Sequence, residues 1–198
     1  MQALIEQSQH SDTPYRVSKV FSDKPAAGLK IAHDLGIPTR QLPPTSGMNR
    51  EAYDETLANE IEACSPSLIV LAGFMRVLSA QFVKRFAGKI LNIHPSLLPK
   101  YPGLHTHQRV LAAKEPQHGA TVHFVTEQLD AGPAILQALV QIKANDTETS
   151  LAERVQIQEH RIYPQAVRWF CEGRLRYEKG SALLDGQVLH APVQFTEQ

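Results

Sequence analysis

The sequence predicts an α/β protein with a mostly parallel central sheet flanked by helices. Three observations carry that expectation. Leu68-Ile69-Val70-Leu71 and the run from Lys89 to Ile93 are apolar stretches too short to be helices, and they read as strands covered on both faces. Longer amphipathic segments with caps at their starts separate such runs. The order strand, helix, strand recurs along the chain, as crossover connections between parallel strands require.

Taken in order, Leu4 and Ile5 within Met1 to Gln9 belong to the end of a helix, so the chain opens in mid-element. Arg16 to Ser22 alternates as a short strand. Ala26 to Leu35 is a helix stopped by Gly36, and Ile37-Pro38 leads into a second short strand near Arg40 to Leu42. After the loop from Pro43 to Gly47, Asn49 is placed to cap a helix from Arg50 to Ala63, with Glu51 and Asp54 in its first turns. Ser67 to Ala72 is a buried strand, Ser79 caps a helix to Phe86, and Lys89 to Ile93 is the next buried strand. His107 to Ala113 is a helix, while Ala120 to Val125 and Ala134 to Ile142 are strands joined through Leu129-Asp130-Ala131-Gly132-Pro133. Leu151, Val155, Ile162, Val167 and Phe170 recur at near-helical spacing in a long helix from Thr149 to Gly173, which Pro164 is expected to kink. Residues 174–198 form a hairpin, turning at Asp185-Gly186, and a tail. No repeat or second boundary divides residues 1–198, so one domain is expected.

With 198 residues, a chain can bury roughly 70% of its unfolded surface and needs no covalent staples. Lysine plus arginine and aspartate plus glutamate each number 20, so no net field recruits a polyanion, and nucleic acid is not an expected partner. Cys64 and Cys171 form no close-spaced pair and suit a reduced compartment. No apolar run approaches the roughly 20 residues that span a bilayer, and no leader pattern opens the chain, so no membrane partner and a cytoplasmic location are expected.

The segment Asn92-Ile93-His94-Pro95-Ser96-Leu97-Leu98-Pro99-Lys100-Tyr101-Pro102-Gly103 is the most informative. Side chains two apart on an extended chain point the same way, so Asn92 and His94 can converge on one substrate atom. An amide donor beside an imidazole that moves a proton suits attack on a carbonyl carbon. Asp130, in a turn bounded by glycine and proline, is the carboxylate expected to orient His94 and favour its charged form. In open α/β sheets ligands sit beyond the carboxyl ends of strands, where Gly73 to Arg76 and Asn92 to Gly103 both fall.

Competing chemistries fit less well. His105-Thr106-His107 lacks the spacing and carboxylate support of a metal site, so no metal is expected. Ser96 has no nucleophile elbow around it. Arg76 leaves a buried strand into the expected crevice, and Arg50 opens a helix where a cation gains nothing from the dipole; carboxylate recognition would explain both.

The chain resembles the phosphoribosylglycinamide formyltransferase family of folate-dependent enzymes of purine synthesis. The resemblance runs from Gln2 to about Gly186 and includes Leu71 to Arg76, Asn92 to His107, His118-Gly119, Val122 to Val125, Leu129 to Pro133 and Gln156 to His160. It implies the Rossmann-like formyltransferase fold and transfer of a formyl group from N10 of 10-formyltetrahydrofolate, a co-substrate, to the amine of glycinamide ribonucleotide. It implies further that Asn92, His94 and Asp130 are catalytic: Asn92 binds the developing oxyanion, His94 is the proton donor, and Asp130 supports it. Met75, Arg76, Val77 and Leu78 match the lining of the folate pocket, largely through backbone groups, as does Asn92. Arg50 matches an arginine near the folate tail and Glu159 an acidic residue on the ribonucleotide side. A monomer or homodimer without a metal is expected.

One departure concerns the N-terminus. Members of the family start with an apolar strand and a Gly/Ser/Asn-rich loop that holds the substrate phosphate, whereas Gln2-Ala3-Leu4-Ile5 matches the helix after that loop. The first strand and the phosphate loop are therefore expected to be absent from this chain, with Met1 an internal start or truncation. Two alternatives follow: a formyltetrahydrofolate deformylase-like hydrolase, and a catalytically silent folate-binding protein. A methionyl-tRNA formyltransferase would need a further nucleic-acid-binding domain and a basic balance.

Overall fold

A computed structural model describes residues 1–196. Helix α1 spans Gln2–Ser8, followed by β1 (Val20–Ser22), α2 (Ala27–Asp34), β2 (Thr39–Gln41), α3 (Arg50–Glu62), β3 (Ile69–Leu71), α4 (Ala80–Arg85) and β4 (Ile90–His94). Then come α5 (Thr106–Ala112), β5 (Gln117–Phe124), β6 (Ala134–Gln141), α6 (Glu148–Cys171), β7 (Leu175–Glu178), β8 (Ser181–Leu184), β9 (Gln187–Val188) and β10 (Val193–Gln194). The caps read from the sequence are made: Asn49 Oδ1 accepts from Ala52 N at 2.8 Å, and Ser79 Oγ from Phe82 N at 3.3 Å. Thr147 and Ser150 form a reciprocal capping box on α6, which continues through the buried ring of Pro164.

The central sheet is mixed, with strand order β10-β6-β5-β4-β3, which corrects the mostly parallel expectation. β3 pairs with β4 and β10 with β6 in parallel, but β4-β5 and β5-β6 are antiparallel. A short connection from Phe124 to Ala134 cannot make a crossover, so β6 returns alongside β5 in the opposite sense. The C-terminal tail adds β10 to the sheet, with Phe195 N donating to Gln137 O at 2.7 Å. Residues 175–188 form a three-stranded meander with two-residue turns at Lys179-Gly180 and Asp185-Gly186. All four turn residues have positive φ, as type I′ turns demand; Asp185-Gly186 was legible in the sequence and Lys179-Gly180 was not.

Two cores lie on opposite faces of the sheet, and β4 separates them. Ile90 packs with Tyr53, Leu57, Ile61 and Phe82 beneath α3 and α4, while its neighbour Leu91 packs with Val122, Phe124, Leu151 and Ile162 beneath α6. Successive side chains of a strand point to opposite faces, so one strand anchors both layers. Tyr163, on α6, donates its hydroxyl hydrogen between the carbonyls of Leu71 and Leu91 at 2.7 and 2.9 Å, tying the helix to the carboxyl end of β3 and the start of β4.

β1 and β2 form a separate parallel pair. Between β1 and β3 runs a cavity of about 740 Å³ lined by Arg16 to Lys24, Ser67 to Met75, Leu4 and Ile5. Asp23, just past β1, faces Arg76, beyond β3, at 4.0 Å, so the two strands present their carboxyl ends at the same end of this channel. The channel explains two departures from the sequence reading. Strand β1 is limited to Val20–Ser22 instead of Arg16 to Ser22, and β3 is half-buried instead of covered on all sides. Cys64 and Cys171 are free, half-buried and both line it.

Candidate active site

Beyond the carboxyl ends of β3 and β4 lies a second cleft, of about 490 Å³. Asn92, His94 and Asp130 line it together with Met75, Arg76, Val77 and Leu78, so two loops read separately from the sequence meet in space. Its rim is apolar: Met75 is 72% exposed, Leu104 65% and Leu129 55%. Exposed large apolar side chains gathered around a concave wall mark a ligand-binding cleft.

The loop after β4 is held by a buried polar network as well as by its prolines. Thr121 Oγ1 donates to Ser96 O at 2.6 Å and accepts from Leu98 N at 3.1 Å and Gln137 Nε2 at 2.9 Å. Gln137 Nε2 also donates to Leu98 O at 2.8 Å, and the Leu98-Pro99 peptide is cis. Ser96 Oγ donates to Lys100 O at 2.7 Å, closing the turn. Ser96, Leu98, Thr121 and Gln137 thus satisfy one another inside the loop, the condition under which a buried network fixes one conformation.

That loop delivers Tyr101 with φ of 55°, a left-handed conformation that aims its carbonyl back at His94. His94 Nε2 lies 2.9 Å from Tyr101 O. A carbonyl only accepts, so Nε2 bears a hydrogen and Nδ1 is the nitrogen turned toward Asp130. His94 Nδ1 faces Asp130 Oδ2 at 3.5 Å, and both side chains are 7% exposed. Asp130, itself at φ of 50°, has Oδ2 accepting from Gly103 N at 2.8 Å, so the loop backbone holds the carboxylate that faces the ring.

Asn92 stands opposite His123 across the β4-β5 pair, with Nδ2 3.1 Å from His123 Nε2. The sequence places His123 only within the Val122 to Val125 match, and strand register alone shows that it stands across from Asn92. The pair His107 and His118 lies farther back, Nδ1 to Nε2 at 3.1 Å; burial, then His107 and His94, lower His118 to about 4.

Other sequence-derived candidates fall outside this constellation. Arg76 does line the cleft, but its guanidinium stacks on Tyr53 at 4.3 Å and faces Asp23, so its charge is turned toward β1. Arg50 opens α3, half-exposed and paired with Glu51 at 3.0 Å, and is not among the residues lining the cleft. Glu159, half-buried on α6, also lies outside that lining; burial pushes its carboxyl up to about 7, against the opposing charge of the Met1 amine. Among the described residues, no group of three or more His, Cys, Asp or Glu is arranged to hold a metal, and no helix is long and apolar enough to cross a membrane.

An imidazole whose Nδ1 faces a carboxylate, two residues from a fixed amide, can shuttle a proton and stabilise negative charge on oxygen. Known proteins are similar to this chain in sequence and fold. A family model described as formyl transferase matches residues 1–167. A phosphoribosylglycinamide formyltransferase of Escherichia coli (strain K12) is 50% identical over 190 residues, covering 96% of this chain and 90% of the relative. One from Haemophilus influenzae is 43% identical over the same shares. The structure of the phosphoribosylglycinamide formyltransferase from Coxiella burnetii superposes with a TM-score of 0.93 at 45% identity, covering 98% of this chain and 92% of that one. On these grounds the chain belongs to the phosphoribosylglycinamide formyltransferase family.

Proposed function

We propose that the protein transfers the formyl group of 10-formyltetrahydrofolate to the amine of glycinamide ribonucleotide in purine biosynthesis, with no metal taking part. The convergence of Asn92, His94 and Asp130 in one cleft carries this reading. The amine attacks the formyl carbon, a carbon-nitrogen bond forms, and the carbonyl oxygen gains negative charge. Asn92 Nδ2 donates to that oxygen, a contribution of roughly 10²- to 10³-fold in comparable sites. The intermediate collapses by breaking the bond from carbon to N10, and the proton lost by the amine is returned to N10. His94 handles that proton at Nδ1, which faces the Asp130 carboxylate. The 3.5 Å separation is open enough to tighten around a bound intermediate.

The exposed apolar wall of Met75, Val77 and Leu129 suits the folate ring, and the backbone from Met75 to Leu78, Arg76 included, supplies its polar contacts. Arg50, half-exposed beyond the cleft lining, is assigned to the folate tail's carboxylates, and Glu159 to the ribonucleotide side.

The test is product analysis with purified protein and 10-formyltetrahydrofolate, with and without the ribonucleotide. Formylated ribonucleotide from wild type, lost by ~10²-fold or more in His94→Ala, is the expected result. Release of free formate at the same rate without the acceptor would overturn transfer in favour of hydrolysis. Folate binding without turnover would favour a silent binding protein.

A further inference from the structure

The register between β5 and β6 shifts at Val122/His123, an irregularity of the kind that re-aims a side chain next to an active site. His123, 2% exposed, is directly opposite Asn92 in the β4-β5 pair. Its Nδ1 lies 2.9 Å from Phe124 O. Because that carbonyl can only accept, Nδ1 bears the hydrogen, and a neutral ring then keeps its lone pair at Nε2. Asn92 Nδ2, 3.1 Å from Nε2, is therefore the donor between them. If the amide turned over, Oδ1 would meet Nε2 with lone pairs on both sides and no hydrogen between.

Resting on the formyl-transfer reading above, we propose that His123 is a positioning residue: as the Nδ1-H tautomer it locks the Asn92 amide so that the second Nδ2 hydrogen faces the oxyanion. Without that lock the amide can present Oδ1 to a developing negative charge and repel it. Burial lowers His123 from its ordinary range, which keeps the ring neutral and Nε2 an acceptor. A proton on Nε2 would oppose the Asn92 N-H and turn toward Asp130 Oδ1, 3.8 Å away, drawing that carboxylate from His94. The tautomer of a ring outside the reacting pair thus sets the orientation of Asn92 and the loyalty of Asp130.

His123→Leu removes the acceptor, while His123→Gln places an amide oxygen near the position of Nε2. The expected result is kcat lowered ~10²-fold in the leucine variant, with the KM for the formyl donor held within ~3-fold and most of the rate recovered in the glutamine variant. In an Asn92→Ala background, His123→Leu should cost less than ~3-fold, because the amide it positions is gone. A full loss in that background would show that His123 acts on the fold instead, and would overturn the proposal. A third measurement does not depend on activity or on the variants folding: 15N spectra of histidine-labelled wild type at pH 7.5 should show Nδ1 protonated and Nε2 bare. A proton on Nε2 overturns the proposal. Absence of any formyl transfer by wild type would sink the functional reading alone, with the spectra still deciding the tautomer.

Discussion

Asp130 Oδ2 faces His94 Nδ1 at 3.5 Å while accepting a hydrogen bond from Gly103 N at 2.8 Å. One carboxylate oxygen therefore couples the His94 ring to the backbone of the loop after β4. Asp130→Asn retains an acceptor for Gly103 N but removes the charge that faces the His94 ring. We expect kcat to fall by ~10²-fold or more with the fold intact, whereas Asp130→Ala should also weaken donor binding by freeing the loop. Steady-state kinetics with circular dichroism as a folding control distinguishes the two variants; equal KM values for both would contradict the loop-holding role.

Thr121→Val, close to isosteric, leaves Leu98 N and Ser96 O in the interior without their hydroxyl partner and Gln137 Nε2 with only its bond to Leu98 O. Two orphaned polar groups cost ~2 to 4 kcal/mol, read as a lower urea midpoint, and Thr121→Ser should restore most of it. A valine variant as stable as wild type would show that the prolines alone shape the loop.

Two groups should give stability slopes of opposite sign with pH. His118 is lowered from 6.5 to about 4, so the unfolded chain binds the proton more tightly, and its contribution to stability is present above the ordinary value and lost as pH falls from about 6.5 to 4. Glu159 is raised from 4.5 to about 7, so the folded chain binds the proton more tightly, and stability is lost as pH rises from about 4.5 to 7. Each effect is at most ~3 kcal/mol. In Glu159→Gln, urea midpoints should climb more steeply with pH across the shared window than in wild type, and in His118→Gln they should flatten or fall. Parallel profiles for wild type and both variants would refute these assignments.

The channel between β1 and β3 makes a prediction about exchange. Val20 N and Ser22 O bond to the β2 segment and Ile69 N bonds to Lys89 O, so strand alternation turns the ladder groups of Phe21 and Val70 toward the channel. Their amides should exchange at least about tenfold faster than those of Val20 and Ile69. Amide-resolved hydrogen exchange measures this, and equal protection would mean that the channel is closed in solution.

Local chemistry made much of this protein legible in its residues. The caps at Asn49 and Ser79, the amphipathic period of α6 and the apolar runs at Ile69 and Ile90 depend on near neighbours, and so does the shared direction of Asn92 and His94. Tertiary structure decided what depends on distant partners. Strand order made the sheet mixed, placed β10 beside β6 and left a channel that half-exposes β3. Register set His123 against Asn92, and the fold turned the Arg76 guanidinium from the cleft toward Tyr53. Sequence spacing carries short-range sterics and periodicity, whereas hydrogen-bond partners across strands, and the tautomers they impose, exist only once the chain has closed on itself.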